Sequence, residues 1–241
     1  MSSTSRLELL PKNLAKLQLD PTCHRLYKPG QPLTAEGILP NQVLVILEGQ
    51  VRLLTREQDQ TATLMKLGPG DVVGLASLLS ASPCERVHAS TAVRTALLSD
   101  QDLLNQLEID PEFSQWCGQQ LWAAEIGRLL QPMREENPEN LPAFAPKIKD
   151  ILSMSCIVKP EPEALQQALG NGLRVFVGSA NSDLILGTEL IDTESLATPI
   201  RPPLPLRLIG IPAKQIELLL TPLLNAELIE DSANNPVEKL S

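Results

Sequence analysis

LYKPGQPLTAEGILPNQVLVILEGQVRLL, residues 26–54, sets short apolar runs between corners of glycine and proline. Val43, Val45 and Leu47 alternate with Leu44 and Ile46, so both sides of this run are apolar, as in a strand covered on both faces. A turn at Glu48-Gly49 follows, and Val51, Leu53 and Leu54 begin a second strand. The same texture continues through TATLMKLGPGDVV (residues 61–73) and TAVRTALLSD (residues 91–100). Glycines at 30, 37, 49, 68, 70 and 74 stand at the corners, where a backbone needs positive φ or a bulge. Regular short strands with such punctuation predict a sandwich or barrel over residues 25–100.

Outside this block the period changes. Leu7, Leu10, Leu14 and Leu17 recur at helical spacing and predict an amphipathic helix over residues 7–19, broken at Asp20-Pro21. After the strands, Ser99 or Asp100 caps one helix, and Pro111 opens a second, long helix over residues 111–130. Its apolar stripe is Phe113, Trp116, Leu121, Trp122, Ile126, Leu129 and Leu130, mildly interrupted by Gly118. Residues 132–146 carry four prolines and a charge cluster, the composition of a linker. Beyond it, residues 147–228 form a small unit of their own. EPEALQQALGNG reads as a helix closed by Gly170 or Gly172. LRVFVGS, DLILGTEL and LPLRLIGIP read as strands, and residues 213–220 as a short helix. Residues 229–241 form a polar tail. The expected class is α+β: residues 1–131 a β-barrel or sandwich with flanking helices, then the strand-rich α+β unit.

Composition narrows the function. The core must be aliphatic, because aromatics are 2% of 241 residues while hydrophobic residues are 43%. Net charge is −9 and evenly spread: twelve Lys and Arg against sixteen Asp and Glu up to residue 137, eight against thirteen after it. Neither half offers the basic face that phosphate backbones require, so no nucleic acid is expected. Cys23, Cys84, Cys117 and Cys156 stand apart, and His24 and His88 complete no zinc spacing, so no metal is expected. No run of 18 apolar residues and no secretory leader is present, which predicts a cytoplasmic protein. No GxSxG, HExxH or GxxxxGK[ST] pattern occurs. Ser179 has no nominated base. Glu135, Glu136, Asp183 and Glu189 read as solvated charges, and Cys156 has only Lys159 as a cationic neighbour. The expectation is a protein that is not an enzyme and holds no cofactor.

Residues 7–131 resemble the cyclic-nucleotide-binding domain family, the β-roll (jelly-roll) of catabolite-regulator-like proteins. Pro29-Gly30 matches the family's first turn, Gly37 the second, and Ile46-Leu47-Glu48-Gly49-Gln50-Val51 the third. LGPGDVVG, with Leu67, Gly70 and Gly74, is similar to the family's L-x-x-G-x-x-F-G passage. SDQDLLNQL resembles the helix start after the last roll strand. In that family a short helix after F-G-E, followed by an Arg, makes a phosphate cassette: the Glu takes the ribose hydroxyl and the Arg the cyclic phosphate. Here Val73 stands at the Phe position and Leu75 at the Glu position. The Arg position falls near Ala89 or Thr91, with Arg86 and His88 off register. The resemblance therefore implies a degenerate pocket at Gly74, Leu75, Ala76, Ser77, His88 and Ala89, closed by the apolar Leu75 and Ala89. Losing both charge partners, at roughly 1.5–3 kcal/mol per charge-assisted bond, disfavours cyclic-nucleotide binding. The amides at Gly74, Ala76 and Ser77 are left for some other small anionic ligand.

The order of roll, long helix and small β unit also resembles the N-terminal regulatory region of bacterial peptidase-containing ABC exporters. That implies a non-catalytic regulatory or sensor module, with neighbouring transporter or peptidase domains as partners. Trp116, Trp122 and Leu129 are candidates for a homodimer seam between two long helices. The alternative is a ligand-responsive transcription regulator of the catabolite-regulator type, with an atypical output domain.

Overall fold

The computed structural model describes residues 10–57, 60–136, 141–180, 184–197 and 206–222. A short helix, α1 (Lys12–Lys16), and two 3-10 turns lead into the roll. The helix expected over residues 7–19 is thus reduced to one turn and a half within the described part; residues 1–9 lie outside it. Asp20 ends it by accepting a bond from the Thr22 amide, with Pro21 opening the next turn.

The roll consists of β1 (His24–Tyr27), β2 (Gln42–Glu48), β3 (Val51–Glu57), β4 (Gln60–Leu67), β5 (Val72–Val73), the helix α2 (Leu75–Leu79), β6 (Val87–Ala89) and β7 (Val93–Ser99). Its strands form two antiparallel sheets, ordered β1-β7-β2-β5 and β4-β3-β6. The double-sided reading of residues 43–47 holds. Leu44 and Ile46 join one core cluster with Val51, Leu53 and Leu64, while Val43, Val45 and Leu47 join another with Leu14, Leu75, Leu103 and Phe113. Two cores share one strand because side chains alternate sides every residue.

Five of the six punctuating glycines adopt positive φ: 30, 37, 49, 70 and 74. Gly49 has the strongest need for it. At φ +87 a Cβ there would lie 2.2 Å from the Ala92 carbonyl oxygen, in the β2–β3 turn under the β7 entry. Gly49→Ala is expected to cost about 2 kcal/mol of unfolding free energy in urea titration, since both the backbone strain and a backbone clash must be absorbed. An unchanged midpoint would show that the turn is free to rearrange.

Helices α3 (Asp100–Ile109), capped by the Ser99 hydroxyl, and α4 (Pro111–Gln119), capped by Asp110, follow the roll. The single long helix expected over residues 111–130 is in fact two. It stops at Gln119 and restarts as α5 (Ala123–Glu135). The cause is tertiary. Arg207, from the C-terminal unit, donates to the carbonyls of Cys117 (3.3 Å) and Gln120 (2.7 Å), which frees the chain from continuing the helical ladder. Glu125 then reaches back to the Trp122 amide at 3.2 Å and opens α5.

The C-terminal unit holds α6 (Ile148–Met154), β8 (Cys156–Val158), α7 (Pro162–Gly170), β9 (Leu173–Val177), β10 (Glu189–Leu190), β11 (Leu208–Pro212) and α8 (Ala213–Leu220). The strands form one antiparallel sheet, β10-β9-β11-β8. Among the described residues of DLILGTEL, 184–190, only the last two are strand; before them Gly187, at φ +84, and a hydrogen bond from the Thr188 amide to the Ile185 carbonyl make a turn. β8 escapes the periodicity reading, because three residues carry too little alternation. In β9, Val175 and Val177 face α7 with Leu165 and Leu208, whereas Phe176 joins Ile209, Ile211, α5 and the roll interior. One core therefore runs from the roll through α5 into this sheet. Of the proline-rich stretch at 132–146, residues 132–135 continue α5 and residues 141–146 are docked: Leu141 and Phe144 are buried, and Glu57 accepts from the Phe144 and Ala145 amides, both at 2.8 Å. Trp116 and Trp122 pack against the second roll cluster and Leu129 is buried in the first, so all three are engaged within the chain. Among the described residues, no helix is long and apolar enough to cross a membrane.

Candidate functional site

The site grows from the end of β5. Gly74, at φ +91, turns the chain where a Cβ would strike the Gln42 carbonyl at 2.5 Å, and this turn aims the first amides of α2 inward. Leu75 and Leu79 hold α2 in place by burying into the second roll cluster. The turn after α2 brings Glu85 back beneath its start. Glu85 is 7% exposed. Its carboxyl accepts from the Gly74 amide (Oε1, 2.8 Å), the Ser77 amide (Oε2, 3.0 Å) and the Ser77 hydroxyl (Oε2, 2.9 Å). Thr34 pins the backbone behind it, donating to the Glu85 carbonyl (2.8 Å) and accepting from the Val87 amide (3.0 Å). Burial pushes the Glu85 carboxyl above the ordinary glutamate range, while the two amides and the hydroxyl oppose that rise. The neighbouring Cys84 thiol is pushed up to about 12, by burial first and by Glu85 second, so it stays protonated and inert.

A cavity of about 350 Å³ lies beside this cluster, between β3, residues 83–86 and α5. Leu54, Leu64 and Ala124 supply apolar wall. Arg86 pairs with Glu36 at 3.0 Å. Arg128, from α5, donates to Ser80 Oγ (3.2 Å), the Ser82 carbonyl (3.5 Å) and the Gly178 carbonyl (2.8 Å). The Ala180 amide N–H donates a hydrogen bond to the Ser80 carbonyl at 2.8 Å. The α2 turn, α5 and the C-terminal unit are thereby tied at one point.

Of the residues that the sequence nominated, Gly74 and Ser77 meet on Glu85, so their amides are engaged by the chain itself. Leu75 and Ala76 are fully buried, with Leu75 in the second roll cluster. Ala89, also fully buried, belongs to the first cluster and pairs with Val51; His88 beside it pairs with Arg52. Leu75, Ala76, His88 and Ala89 are not among the residues lining the cavity. Glu85, Arg128 and the Arg207–Glu125 pair were not nominated. Glu85 follows Pro83-Cys84, and nothing in its spacing announces that it folds back eight residues. Among the described residues no His, Cys, Asp and Glu cluster could hold a metal ion.

The family model of the cyclic nucleotide-binding domain matches residues 24–110. A domain of this kind fits a regulatory or sensor role. No curated protein matches the chain. Among solved structures, it is similar to the EAL enzyme Bd1971 in its cAMP-bound form, at 18% identity and a TM-score of 0.35, over 64% of this chain and 36% of that one. It is similar to the regulatory subunit of a cAMP-independent protein kinase A from Trypanosoma brucei at 25% identity and a TM-score of 0.31, over 39% of each chain. The N-terminal domain of a transcriptional regulator from Streptomyces coelicolor A3(2) aligns at 23% identity and a TM-score of 0.37, over 55% of this chain and 89% of that one. The alignment thus spans 36% and 39% of the first two proteins' lengths.

Proposed function

We propose that this chain is a non-catalytic regulatory module whose roll is closed to cyclic nucleotides by its own side chain. The observation that carries this reading is the Glu85 carboxyl on the Gly74 amide, the Ser77 amide and the Ser77 hydroxyl. Those are the donors at the start of the cassette helix, and an incoming phosphate finds them taken. The roll then acts as a docking and relay unit. Its α2 turn is held by Arg128 to α5 and to the C-terminal sheet, so a displacement of either is passed to the other. The order of roll, helices and small β unit supports placing the module in the regulatory part of an ABC-type export system, acting on adjoining transporter or peptidase domains.

Calorimetric titration of cyclic AMP and cyclic GMP into the whole chain tests the closed cassette. Neither is expected to release measurable binding heat at 100 µM ligand, a concentration at which affinities of about −5.5 kcal/mol or better are populated. Saturable binding of either would overturn the reading. Salt-sensitive binding to duplex DNA would instead favour the transcription-regulator alternative.

A further inference from the structure

We propose that the outer face of the β4-β3-β6 sheet docks a protein partner through an acidic helix, which lies across the strands over Lys66, Arg52 and His88. This face is separate from the cassette and does not depend on whether that site is closed. The pairing register sets the three residues in one row: Arg52 stands directly opposite Lys66 on one side and His88 on the other. They point away from the roll interior, because their neighbours point into it. Val51, Leu53, Val87 and Ala89 are buried in the first core cluster, and Met65 and Leu67 pack against it. Arg52 and Lys66 are exposed and His88 is half-buried.

Such a row works against the fold, since basic side chains directly opposite one another repel. The chain carries a surplus of acids, at net charge −9, with which to neutralise it. Elsewhere on the roll it does so: Arg86 has Glu36 at 3.0 Å, and Arg94 has Glu48. Asp71 and Glu57 instead accept backbone amides, of Gly68 and of Phe144 and Ala145. Among the described residues, the side chains of Arg52, Lys66 and His88 form no ion pair and no hydrogen bond. A partner's carboxylates supply what the chain withholds.

The spacing selects the partner. Neighbouring strands lie about 4.8 Å apart, so the row spans about 10 Å. Carboxylates at i, i+3 and i+7 of an α-helix share one face and rise about 10 Å along its axis. Three same-face residues of an extended strand need about 13 Å. The evenly spread negative charge opposes a long polyanion such as nucleic acid. A row of three is also short of the roughly 4–8 cations that mark a polybasic membrane site.

The test is an amide-resonance titration of the whole chain by nuclear magnetic resonance, which reads weak binding and its place together. The probe is an alanine-rich helical peptide of about 20 residues, long enough to hold its helix, with glutamates at i, i+3 and i+7. A control of the same composition carries them at i, i+2 and i+5, scattered around the helix. Resonances of β3, β4 and β6 are expected to shift saturably, with the aligned peptide binding about 5-fold more tightly than the control. Arg52→Gln and Lys66→Gln are each expected to weaken the aligned peptide by up to about 5-fold, the scale of an exposed ion pair. Both variants are expected to keep or raise the urea midpoint, because each relieves a like-charge contact. A lowered midpoint would assign the row to the fold and overturn the docking role. Silence, shifts on another face, or equal binding of the two peptides would overturn it as well. Tighter binding of duplex DNA or of phosphatidylserine vesicles to the same residues would overturn the helix in favour of that polyanion. All of these outcomes leave the closed cassette as it stands.

Discussion

Arg207→Met is expected to lower the unfolding free energy by about 3–5 kcal/mol, the usual result of breaking a buried ion pair. Arg207 is 2% exposed and Glu125 fully buried. The guanidinium meets the carboxylate through two bonds, Nε to Oε1 at 2.8 Å and Nη2 to Oε2 at 3.0 Å, and lies over the Trp122 ring at 5.5 Å. Removing it leaves Glu125 as an unpaired buried acid and strips the Cys117 and Gln120 carbonyls of their donor. Those two losses separate in a double-variant cycle. Glu125→Leu combined with Arg207→Met removes the orphaned charge, so the pair is expected to cost less than the sum of the single changes. The remaining deficit measures the carbonyl cap at the end of α4. Urea unfolding of the four proteins gives the answer; strict additivity would mean that the two side chains do not act as a pair.

Glu85 is expected to tolerate neither Ala nor its isostere Gln. Alanine leaves the Gly74 amide, the Ser77 amide and the Ser77 hydroxyl without their acceptor, a loss of about 3 kcal/mol for a buried cluster of this kind. Glutamine keeps the shape, yet each carboxyl oxygen of Glu85 accepts a backbone amide, so its NH₂ must face an N–H donor whichever way it turns. That unmet donor costs about 1–3 kcal/mol. The pH dependence carries its own sign. Burial raises the Glu85 pKa above the ordinary value of 4.5, so the native state holds this proton more firmly than the unfolded chain. Its stabilising contribution is therefore full below that ordinary value and is lost as pH rises through the folded one. The gap in unfolding free energy between the natural chain and Glu85→Gln is expected to narrow as pH rises above that ordinary value of 4.5. A gap that widens over that range would show the carboxyl held as the anion by its three donors.

Much of the fold was legible because its signals are local. The alternation at residues 43–47 announces a strand between two cores, and positive φ at Gly30, Gly37, Gly49, Gly70 and Gly74 is what those corners required. The helix at 162–170, with Gly172 in the left-handed region after it, was equally open to reading. The helix break at residues 120–122 was not, since the apolar stripe runs straight across it. What interrupts the helix is a guanidinium from about ninety residues away.

The candidate site divides along the same line. Sequence alone determined that a glycine corner stands at position 74 and that the apolar Leu75 follows it. These are properties of residues at fixed spacings, which a strand–turn–helix passage preserves. Only the tertiary structure decided that Glu85 folds back onto the Gly74 and Ser77 amides, that Arg128 ties the α2 turn to the C-terminal unit, and that Arg207 and Glu125 lie buried together. Each depends on a side chain meeting a backbone group or a charge across a distance that no local period encodes. A buried charge is stable only where the folded chain delivers its partners, and that delivery is a property of the whole fold.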